Sequence, residues 1–325
     1  MSETILQVED LKAYYFTPNG VVKAVDGVSF SVERGRCLAI VGESGCGKST
    51  LVSSILGLLT PPGRIVDGKI IFEGQDLLTK SQVEIRQIRG RKIGMVFQDP
   101  MTFLNPLMTS GFQVAETLIE HLNMPLAEAM GKSVGLLTDV QVPDPNRVSR
   151  SYPHELSGGM RQRVLIAISL SCNPTLLIAD EPTSALDVTI QSQILDLITS
   201  FKEKYKMAII FITHELAIVP RIADEVAVMY AGKIVETGPV AEVMQNPLHP
   251  YTQALKNSYA RARKQILPSI KGSVPNLANP PPGCRFHPRC PYVFKPCTTL
   301  EPGPSTPHPD RTVYCHLYGS EDVKL

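Results

Sequence analysis

A glycine-rich stretch carrying a lysine and two hydroxyl residues follows an apolar run. It comprises Gly42, Glu43, Ser44, Gly45, Cys46, Gly47, Lys48, Ser49 and Thr50. The preceding run, residues 37–41, predicts a buried strand, and residues 51–59 continue with the apolar spacing of a helix. Glycines let backbone N–H groups turn toward an anion, and a helix start adds further N–H groups. The stretch therefore predicts a phosphate-binding loop, in which Lys48 reaches the β- and γ-phosphates and Ser49 ligates Mg²⁺.

Polar residues also stand where three later apolar runs end. Asp180 and Glu181 end the run from residue 175, Gln98 follows residues 93–97, and His214 follows residues 208–213. Ligands of open α/β sheets bind at the carboxyl ends of parallel strands, so we expect these side chains to meet near a γ-phosphate. Asp180 is then a candidate to hold Mg²⁺ directly or through water, with Gln98 as a further candidate Mg²⁺ ligand. Glu181 is the candidate general base, and Gln98 and His214 complete the predicted catalytic set.

A second glycine pair, Gly158-Gly159, lies between Ser157 and Met160, directly after Leu156. Two glycines permit close backbone approach, and the amphipathic segment behind them offers a helix N-terminus to an anion. Because the first loop already holds one phosphate chain, this site is predicted to act on a nucleotide held by another chain. Two such chains would enclose two nucleotides head to tail. The alternative is a glycine helix start that binds no ligand.

Two further side chains near the loop have competing interpretations. The aromatic run Tyr14-Tyr15-Phe16 could provide a ring that stacks on the adenine, or it could serve strand packing alone. The thiol of Cys46 lies near a helix N-terminus, which would lower its pKa and leave it reactive toward maleimide. Alternatively, Cys46 faces the strand behind it and does not react.

The surrounding pattern predicts an α/β fold of the P-loop NTPase type. Strand-like alternation over residues 5–35 predicts an antiparallel β subdomain ahead of the loop. Residues 101–154 show helical spacing, breakers at Pro125, Pro143, Pro145 and Pro153, and no convincing strand. We therefore predict a nucleotide-binding core of residues 1–97 and 155–246 with a helical subdomain, residues 98–154, inserted in it. Residues 247–325 form the third predicted region, a loop-rich extension, since 12 of the 27 prolines lie beyond residue 267.

These motifs, in this order, resemble the ATP-binding subunits of ABC transporters. The resemblance spans residues 5–245: Walker A at 42–50, the Q-loop at Gln98, the signature at 156–162, Walker B at 176–181, the D-loop at 184–187 with Asp187, and the switch His214. It implies an ABC-type ATPase that binds ATP and Mg²⁺ at a dimer interface, with Tyr15 matching the adenine-stacking aromatic, although the register could slip to Tyr14. A soluble ABC ATPase of DNA repair or translation is the alternative, but 58 residues between Gln98 and Ser157 leave no room for a long coiled coil.

The segments at residues 98–106, 152–155 and 246–252 resemble those of dipeptide and oligopeptide importers. That resemblance implies two transmembrane permease subunits, an extracytoplasmic solute-binding protein and a location on the cytoplasmic face of the membrane. The Met160-Arg161-Gln162 form of the signature favours a heterodimer with a sister ATPase. Phe103, Leu104 and Met108 are expected to receive a short permease helix, and Phe103 replaces the usual small serine of this group. Peptides are the default solute, with nickel and oligosaccharides as alternatives.

Four of the seven cysteines, Cys284, Cys290, Cys297 and Cys315, crowd into the last 42 residues. Their spacing, C-x₅-C-x₆-C-x₁₇-C, is looser than the C-x₂₋₄-C pairs of zinc ribbons. Longer loops suit a larger core, and the tail resembles group members that carry a 4Fe-4S cluster; zinc or no metal are the alternatives. The extension could also be a redox sensor that controls the ATPase.

Charge and hydropathy exclude several classes of protein. The formal net charge is +1 and no long basic block is present, so no nucleic-acid partner is expected. No run approaches 18 apolar residues, so no transmembrane helix is predicted. The acidic start, MSETILQVED, does not resemble a signal peptide, and we expect the chain to stay in the cytoplasm.

Overall fold

The computed structural model describes residues 3–184, 186–262, 270 and 272–319. The strands, numbered in chain order, are β1 Thr4–Thr17, β2 Gly20–Glu33, β3 Cys37–Val41, β4 Gly63–Phe72, β5 Gln75–Asp76, β6 Ile93–Val96, β7 Leu176–Asp180, β8 Ala208–Thr213, β9 Glu225–Tyr230, β10 Lys233–Pro239, β11 Ser305–His308 and β12 Arg311–Val313. The α-helices are α1 Lys48–Ile55, α2 Gln82–Ile88, α3 Pro100–Phe103, α4 Ser110–Leu122, α5 Leu126–Asp139, α6 Pro145–Arg150, α7 Gly158–Leu170, α8 Val188–Tyr205, α9 Val219–Ile222, α10 Val240–Gln245 and α11 Pro250–Ala262. No helix among the described residues is both long and apolar enough to cross a membrane.

The chain forms two compact units. The first comprises Met1–Ile5, Glu33–Arg36 and Thr79–Phe211, and the second comprises Leu6–Val32, Cys37–Leu78 and Ile212–Leu325. These bounds do not follow the three regions expected from the sequence, and that division stays a prediction. The α/β class is confirmed, because parallel strand pairs occur in both units and helices follow them.

An antiparallel sheet opens the second unit, as the alternation over residues 5–35 predicts. Its strand order is β2-β1-β4-β5, and β1 pairs with β4 from Leu6 opposite Phe72 to Tyr15 opposite Gly63. The register shifts between Glu9 and Ala13, where Asp10 has a φ of 44°. Such an irregularity bends a strand and increases its twist.

The rest of the second unit is built on strands in the order β11-β12-β10-β9-β3. The loop strand β3 is buried along its whole length and pairs in parallel with β9, Leu38 opposite Glu225. A strand that is buried on both faces has a continuous run of apolar residues, and the apolar run at residues 37–41 therefore predicted a buried strand.

The C-terminal extension differs from the separate appendage with little regular structure that its composition predicted. Its strand β12 pairs with β10, Glu236 opposite Val313, and its helix α11 spans the 13 residues Pro250–Ala262. Tyr251 and Phe286 are buried in the core cluster that includes Val228 and Tyr230. The extension therefore belongs to the hydrophobic core of the second unit.

The first unit combines a parallel strand pair with a helical segment. Strands β6 and β7 pair in parallel, Ile93 opposite Leu176 and Val96 opposite Ala179. Residues 101–154, all described, contain helices and no strand, as predicted. Helices α4 and α5 pack around Ala115, Leu118 and Ala129.

Candidate nucleotide site

The phosphate-binding loop lies between β3 and α1, as predicted, and two of its glycines are required by close backbone approach. A Cβ on Gly42 would lie 2.1 Å from the carbonyl oxygen of Met229, and one on Gly47 would lie 2.0 Å from that of Ala24. Gly47 also has a φ of 109° and is the N-cap of α1. At Gly45, by contrast, a Cβ would meet no atom within 4 Å, so the loop is open there.

Lys48 is placed to act on phosphates bound by this loop. Its side chain is only 6% exposed, and Nζ donates to the carbonyl oxygens of Gly42, at 2.8 Å, and Glu43, at 3.2 Å. The ammonium group is therefore held against the loop itself, while Ser44, Gly45 and Ser49 are exposed. Exposed loop residues and a hydroxyl-bearing side chain beside a buried ammonium suit the binding of a phosphate chain with Mg²⁺.

The thiol of Cys46 does not line this loop, so the interpretation of a reactive cysteine is wrong. Cys46 is 0% exposed, and its Sγ lies 3.8 Å from Lys48 Nζ on the inner side of the loop. Burial raises the pKa of the thiol, and the neighbouring Lys48 only partly offsets that effect. Cys46 thus contributes backbone groups to the loop: its carbonyl oxygen accepts from the N–H of Gly232 at 2.8 Å.

Tyr14 and Tyr15 of β1 point in different directions, because neighbouring residues of a strand lie on opposite faces. The hydroxyl of Tyr14 donates to the carboxylate of Asp26. Burial and that hydrogen bond raise the Tyr14 pKa to about 12. The hydroxyl of Tyr15 lies 3.3 Å from Thr50 Oγ1, at the start of α1. The geometry thus supports Tyr15 over Tyr14 as the ring beside the nucleotide, and its stacking on adenine stays a prediction.

Gln98 and Glu181 meet in the first unit, as their places at neighbouring strand ends predict. Gln98 Nε2 donates to Glu181 Oε2 at 3.0 Å, and the exposed amide orients the half-buried carboxylate. Glu181 follows Asp180, the last residue of β7, and has a φ of 46°, a conformation that a non-glycine residue rarely adopts. Ser184 holds this backbone, because its Oγ donates to the carbonyl oxygen of Glu181 at 3.0 Å. Strain of this kind concentrates at functional sites.

The glycine pair of the predicted signature begins a helix, as expected. Helix α7 starts at Gly158, and the Ser157 hydroxyl caps it by accepting from the N–H of Met160 at 3.4 Å. Leu156 is buried, whereas Ser157 and Gly158 are exposed. The arrangement presents a helix N-terminus at the surface, where an anion from a second chain could reach it.

Two further predicted residues stand at element ends. Asp187 is the N-cap of α8 and accepts from the N–H of Ile190 at 2.9 Å, so its carboxylate has a structural role within the chain. His214 directly follows β8 and is exposed. The contacts of both residues with a nucleotide or a second subunit stay predictions.

The exposed surface expected around residues 103–108 is only partly present. Phe103 is 48% exposed, and its ring stacks on that of Phe97 with centroids 3.8 Å apart. Leu104 is instead buried at 2% exposure, so it belongs to the core and not to a docking surface. Leu107, which the sequence reasoning did not single out, is 84% exposed.

The four clustered cysteines line one cavity in the second unit. Cys284, Cys290, Cys297 and Cys315 all carry free thiols and share this cavity with His249 and Phe286. Burial raises the pKa of Cys284 to about 11 and that of Cys315 to about 12, and the neighbouring cysteines add to both shifts. Within the described ranges, however, no three His, Cys, Asp or Glu side chains are arranged to hold a metal ion. The predicted cluster ligands thus come together without forming a preformed metal site.

Two residues of the extension contact the phosphate-binding loop, and the sequence analysis missed both. Tyr251 Oη accepts from the N–H of Glu43 at 2.9 Å, and Arg289 Nη1 donates to the Glu43 carboxylate at 2.7 Å. No spacing rule connects residue 43 with residues 251 and 289. The available signal was the His249-Pro250-Tyr251 segment, which the sequence analysis used only as a mark of resemblance.

Two family comparisons match separate parts of the chain. Residues 25–184 match the ABC transporter family, and residues 235–297 match the C-terminal region of oligopeptide/dipeptide transporters. The second match includes the segment from β10 to the third clustered cysteine.

Curated relatives match almost the full length. The chain is 48% identical over 324 residues to the oligopeptide transport ATP-binding protein AppD of Bacillus subtilis (strain 168), covering 99% of each chain. It is 46% identical over 303 residues to the oligopeptide transport ATP-binding protein OppD of Escherichia coli (strain K12), covering 93% of this chain and 90% of that protein.

Solved structures agree with these relatives. The ATP-binding cassette MJ0796, in a dimeric post-hydrolysis state bound to ADP and Pi, is 26% identical with a TM-score of 0.65, over 72% of this chain and 98% of the other. The protein cbiO1 of Clostridium perfringens, part of the ABC transporter complex cbiONQ, is 29% identical with a TM-score of 0.64, over 81% and 97%. With a full-length relative at 48% identity, an ABC cassette fold and the family's motifs in their order, the chain belongs to the ATP-binding proteins of ABC transporters.

Proposed function

We propose that this protein is the ATP-hydrolysing subunit of an importer for dipeptides or oligopeptides. The observation that carries the proposal is the hydrogen bond between Gln98 and Glu181 at the ends of adjacent parallel strands, since it orients a carboxylate directly after the Walker B aspartate. The peptide class is supported by the match of residues 235–297 and by the names of the full-length relatives. A soluble ATPase of DNA repair or translation is not favoured, because the relatives that match over nearly their whole length are named as transport proteins.

Each candidate residue has a defined chemical role in this proposal. The N–H groups of residues 42–50 bind the phosphates, Lys48 neutralises the β- and γ-phosphates, and Ser49 ligates Mg²⁺. Asp180 and Gln98 would help to hold Mg²⁺, which would supply positive charge to offset the charge that develops during phosphoryl transfer. Glu181 accepts a proton from the attacking water, and His214 contacts the γ-phosphate. Tyr15 stacks on the adenine.

A second ATP-binding subunit completes the site. The exposed N-terminus of α7, with Leu156, Ser157, Gly158, Gly159 and Met160, is proposed to contact ATP bound by the partner. Asp187 is proposed to face the same interface. The dimeric form of the cassette MJ0796 supports an assembly of two such chains. A sister ATPase is the proposed partner, on the ground of the Met160-Arg161-Gln162 signature.

Transport requires permease subunits, which we propose contact the exposed ring of Phe103 and its neighbour Leu107. An extracytoplasmic solute-binding protein would deliver the peptide, and the ATPase would lie on the cytoplasmic face of the membrane. The support for this contact is that both side chains are large, apolar and exposed.

The cavity lined by Cys284, Cys290, Cys297 and Cys315 is proposed to hold a 4Fe-4S cluster. Four thiols facing one cavity are the donor set that such a cluster uses, and it would stabilise a segment that carries many prolines. Among the described residues no three such side chains are already arranged to hold a metal ion, so cluster binding would require the thiols to move. Anaerobic purification followed by elemental analysis tests this: about four irons per chain supports the proposal. One zinc per chain without iron, or no metal, rejects it.

The transport function is tested in cells that lack the gene for this chain. Expression of the native protein should restore uptake of a radiolabelled tripeptide, whereas Lys48→Ala should not, because the variant lacks the phosphate-binding ammonium. The matched control is Lys132→Ala, at an exposed position outside the loop. If native protein restores uptake of nickel or an oligosaccharide but not of any peptide, the peptide class is wrong.

A further inference from the structure

Glu43, the second residue of the phosphate-binding loop, is held at each of its polar groups. Its carbonyl oxygen accepts from Lys48 Nζ at 3.2 Å and from the N–H of Cys46 at 3.3 Å, both within the loop. Its own N–H donates to Tyr251 Oη at 2.9 Å. Its carboxylate accepts from Nη1 and Nη2 of Arg289 at 2.7 and 3.1 Å. Two of these three anchors therefore come from the C-terminal extension.

Both anchors are rigidly placed in the core of the second unit. Tyr251 is fully buried, and its ring packs against that of Tyr230 with centroids 4.5 Å apart. The Arg289 side chain is only 4% exposed, and its Nη2 also donates to the carbonyl oxygen of Ile270 at 3.2 Å. A guanidinium that makes a two-pronged contact with a carboxylate fixes both position and orientation. Ordered side chains of this kind restrict the loop before any ligand arrives.

We infer that Arg289 and Tyr251 are positioning residues for the phosphate-binding loop, through which the C-terminal extension sets the affinity for ATP. This inference rests on the proposed role of residues 42–50 in ATP binding. Two physical effects carry it. A loop that is already ordered avoids an entropic cost when the nucleotide binds. In addition, Arg289 neutralises a carboxylate that would otherwise repel the triphosphate from within its own binding loop.

The same residues connect the loop to the cysteine cavity. Arg289 directly precedes Cys290, and Tyr251 lies two residues after His249, which lines the cavity together with the four cysteines. The N–H of Tyr251 donates to His249 Nδ1 at 3.0 Å, so these two positions are also joined by a hydrogen bond. A displacement of the cysteine segment would therefore shift Arg289 and Tyr251, and both of these residues contact Glu43.

The test measures the dissociation constant of Mg-ATP for the purified full-length chain by isothermal titration calorimetry. Arg289→Met should weaken ATP binding about threefold to tenfold. This loss of affinity corresponds to the free energy of ordering one or two side chains. Tyr251→Phe keeps the ring but removes the acceptor for the Glu43 N–H, and it should weaken binding about twofold to fivefold. Arg289→Lys keeps the charge and should fall between the native protein and Arg289→Met.

The matched control is Arg285→Met. Arg285 is another buried arginine of the extension, and it donates to Asp26 and to the carbonyl oxygen of Ala231 without contacting residues 42–50 itself; the peptide group that it holds reaches the loop only through the Gly232 N–H, which donates to the Cys46 carbonyl oxygen. Arg285→Met should lower the thermal unfolding temperature while the ATP dissociation constant stays within about twofold of the native value. The charge effect has its own readout: the double variant Glu43→Gln, Arg289→Met should bind ATP as tightly as Glu43→Gln alone.

Three results would overturn the inference. The first is unchanged ATP affinity in Arg289→Met and Tyr251→Phe. The second is an equal loss of affinity in Arg285→Met and Arg289→Met, which would mean that the extension acts through stability alone. The third is a double variant as weak as Arg289→Met. If the native chain itself binds no Mg-ATP, the proposed function fails as well, so the two failures are distinguishable.

Discussion

Replacing Arg311 by methionine should loosen the C-terminal extension from the sheet of the second unit. The carboxylate of Glu236 is fully buried and accepts from Arg311 Nη2 at 2.6 Å. It also accepts from the N–H groups of Leu248 at 2.9 Å and His249 at 3.0 Å. The Arg311→Met variant removes the countercharge and leaves the carboxylate with its two backbone donors.

The expected loss of stability follows from the burial of the Arg311–Glu236 ion pair. Removing one partner of a buried ion pair typically costs about 3–5 kcal/mol, because the remaining charge is left in a poorly solvating environment. The two backbone donors to Glu236 remain, so the lower end, about 3 kcal/mol, is expected here. That corresponds to a roughly 150-fold rise in the equilibrium constant for opening.

Amide hydrogen exchange measured by mass spectrometry checks this value on peptides that cover β10 and β12, because exchange there reports local opening. Arg86→Met is the matched control. Arg86 donates to Glu120 at 2.8 Å, but both side chains are more than half exposed. Removing this surface ion pair should therefore lower stability by less than about 1 kcal/mol. The double variant Glu236→Gln, Arg311→Met should recover much of the protection, since no charge is left buried. Unchanged exchange of β12 in Arg311→Met would refute the view that this pair fastens the extension.

Three other predictions concern residues whose environment the structure establishes. Cys46 is buried and its thiol pKa is raised, so maleimide at pH 7.5 should label it at least about tenfold more slowly in folded than in urea-unfolded protein; equal rates would contradict its burial. Burial lowers the His249 pKa to about 3, so the unfolded chain binds a proton that the folded chain does not between about pH 6.5 and pH 3. The free energy of unfolding should therefore fall by up to about 1.4 kcal/mol per pH unit below pH 6.5. The unfolding temperature of His249→Asn should depend less steeply on pH than that of the native protein. Identical slopes in the two proteins would show that His249 does not cause the pH dependence. Phe103→Glu should reduce co-purification of permease subunits without altering ATP affinity, whereas Leu104→Ala should destabilise the first unit by about 2–5 kcal/mol; wild-type permease binding by Phe103→Glu would place the contact elsewhere.

Local patterns predicted the parts of the site that depend on local geometry. The loop of residues 42–50, the helix start at Gly158 and the contact of Gln98 with Glu181 all follow from strand ends, glycines and the parallel register of β6 with β7. A parallel pair places its carboxyl ends side by side, so residues 98 and 181 meet once β6 pairs with β7, although that pairing joins positions 83 residues apart.

Features that depend on distant partners could not be predicted in this way. Leu104 follows an exposed phenylalanine in an apolar run, and only the packing of the first unit shows that it is buried. The thiol of Cys46 turns inward because of the loop conformation, which helix-terminus electrostatics alone does not reveal. The proline-rich composition of the extension hid its place in the sheet, because β12 is only three residues long and is stabilised by β10 and the Arg311–Glu236 pair.

We propose that Glu181 is the general base of an ATP-hydrolysing site. The most direct measurement compares Mg-ATP affinity and steady-state phosphate release of Glu181→Gln with those of the native chain, in the assembled transporter. A glutamine keeps the shape of the side chain and an oxygen for the Gln98 hydrogen bond, so ATP affinity should stay within about threefold. Phosphate release should fall about 10²- to 10⁴-fold, because the proton acceptor is gone. Near-normal phosphate release by Glu181→Gln would show that Glu181 is not the general base.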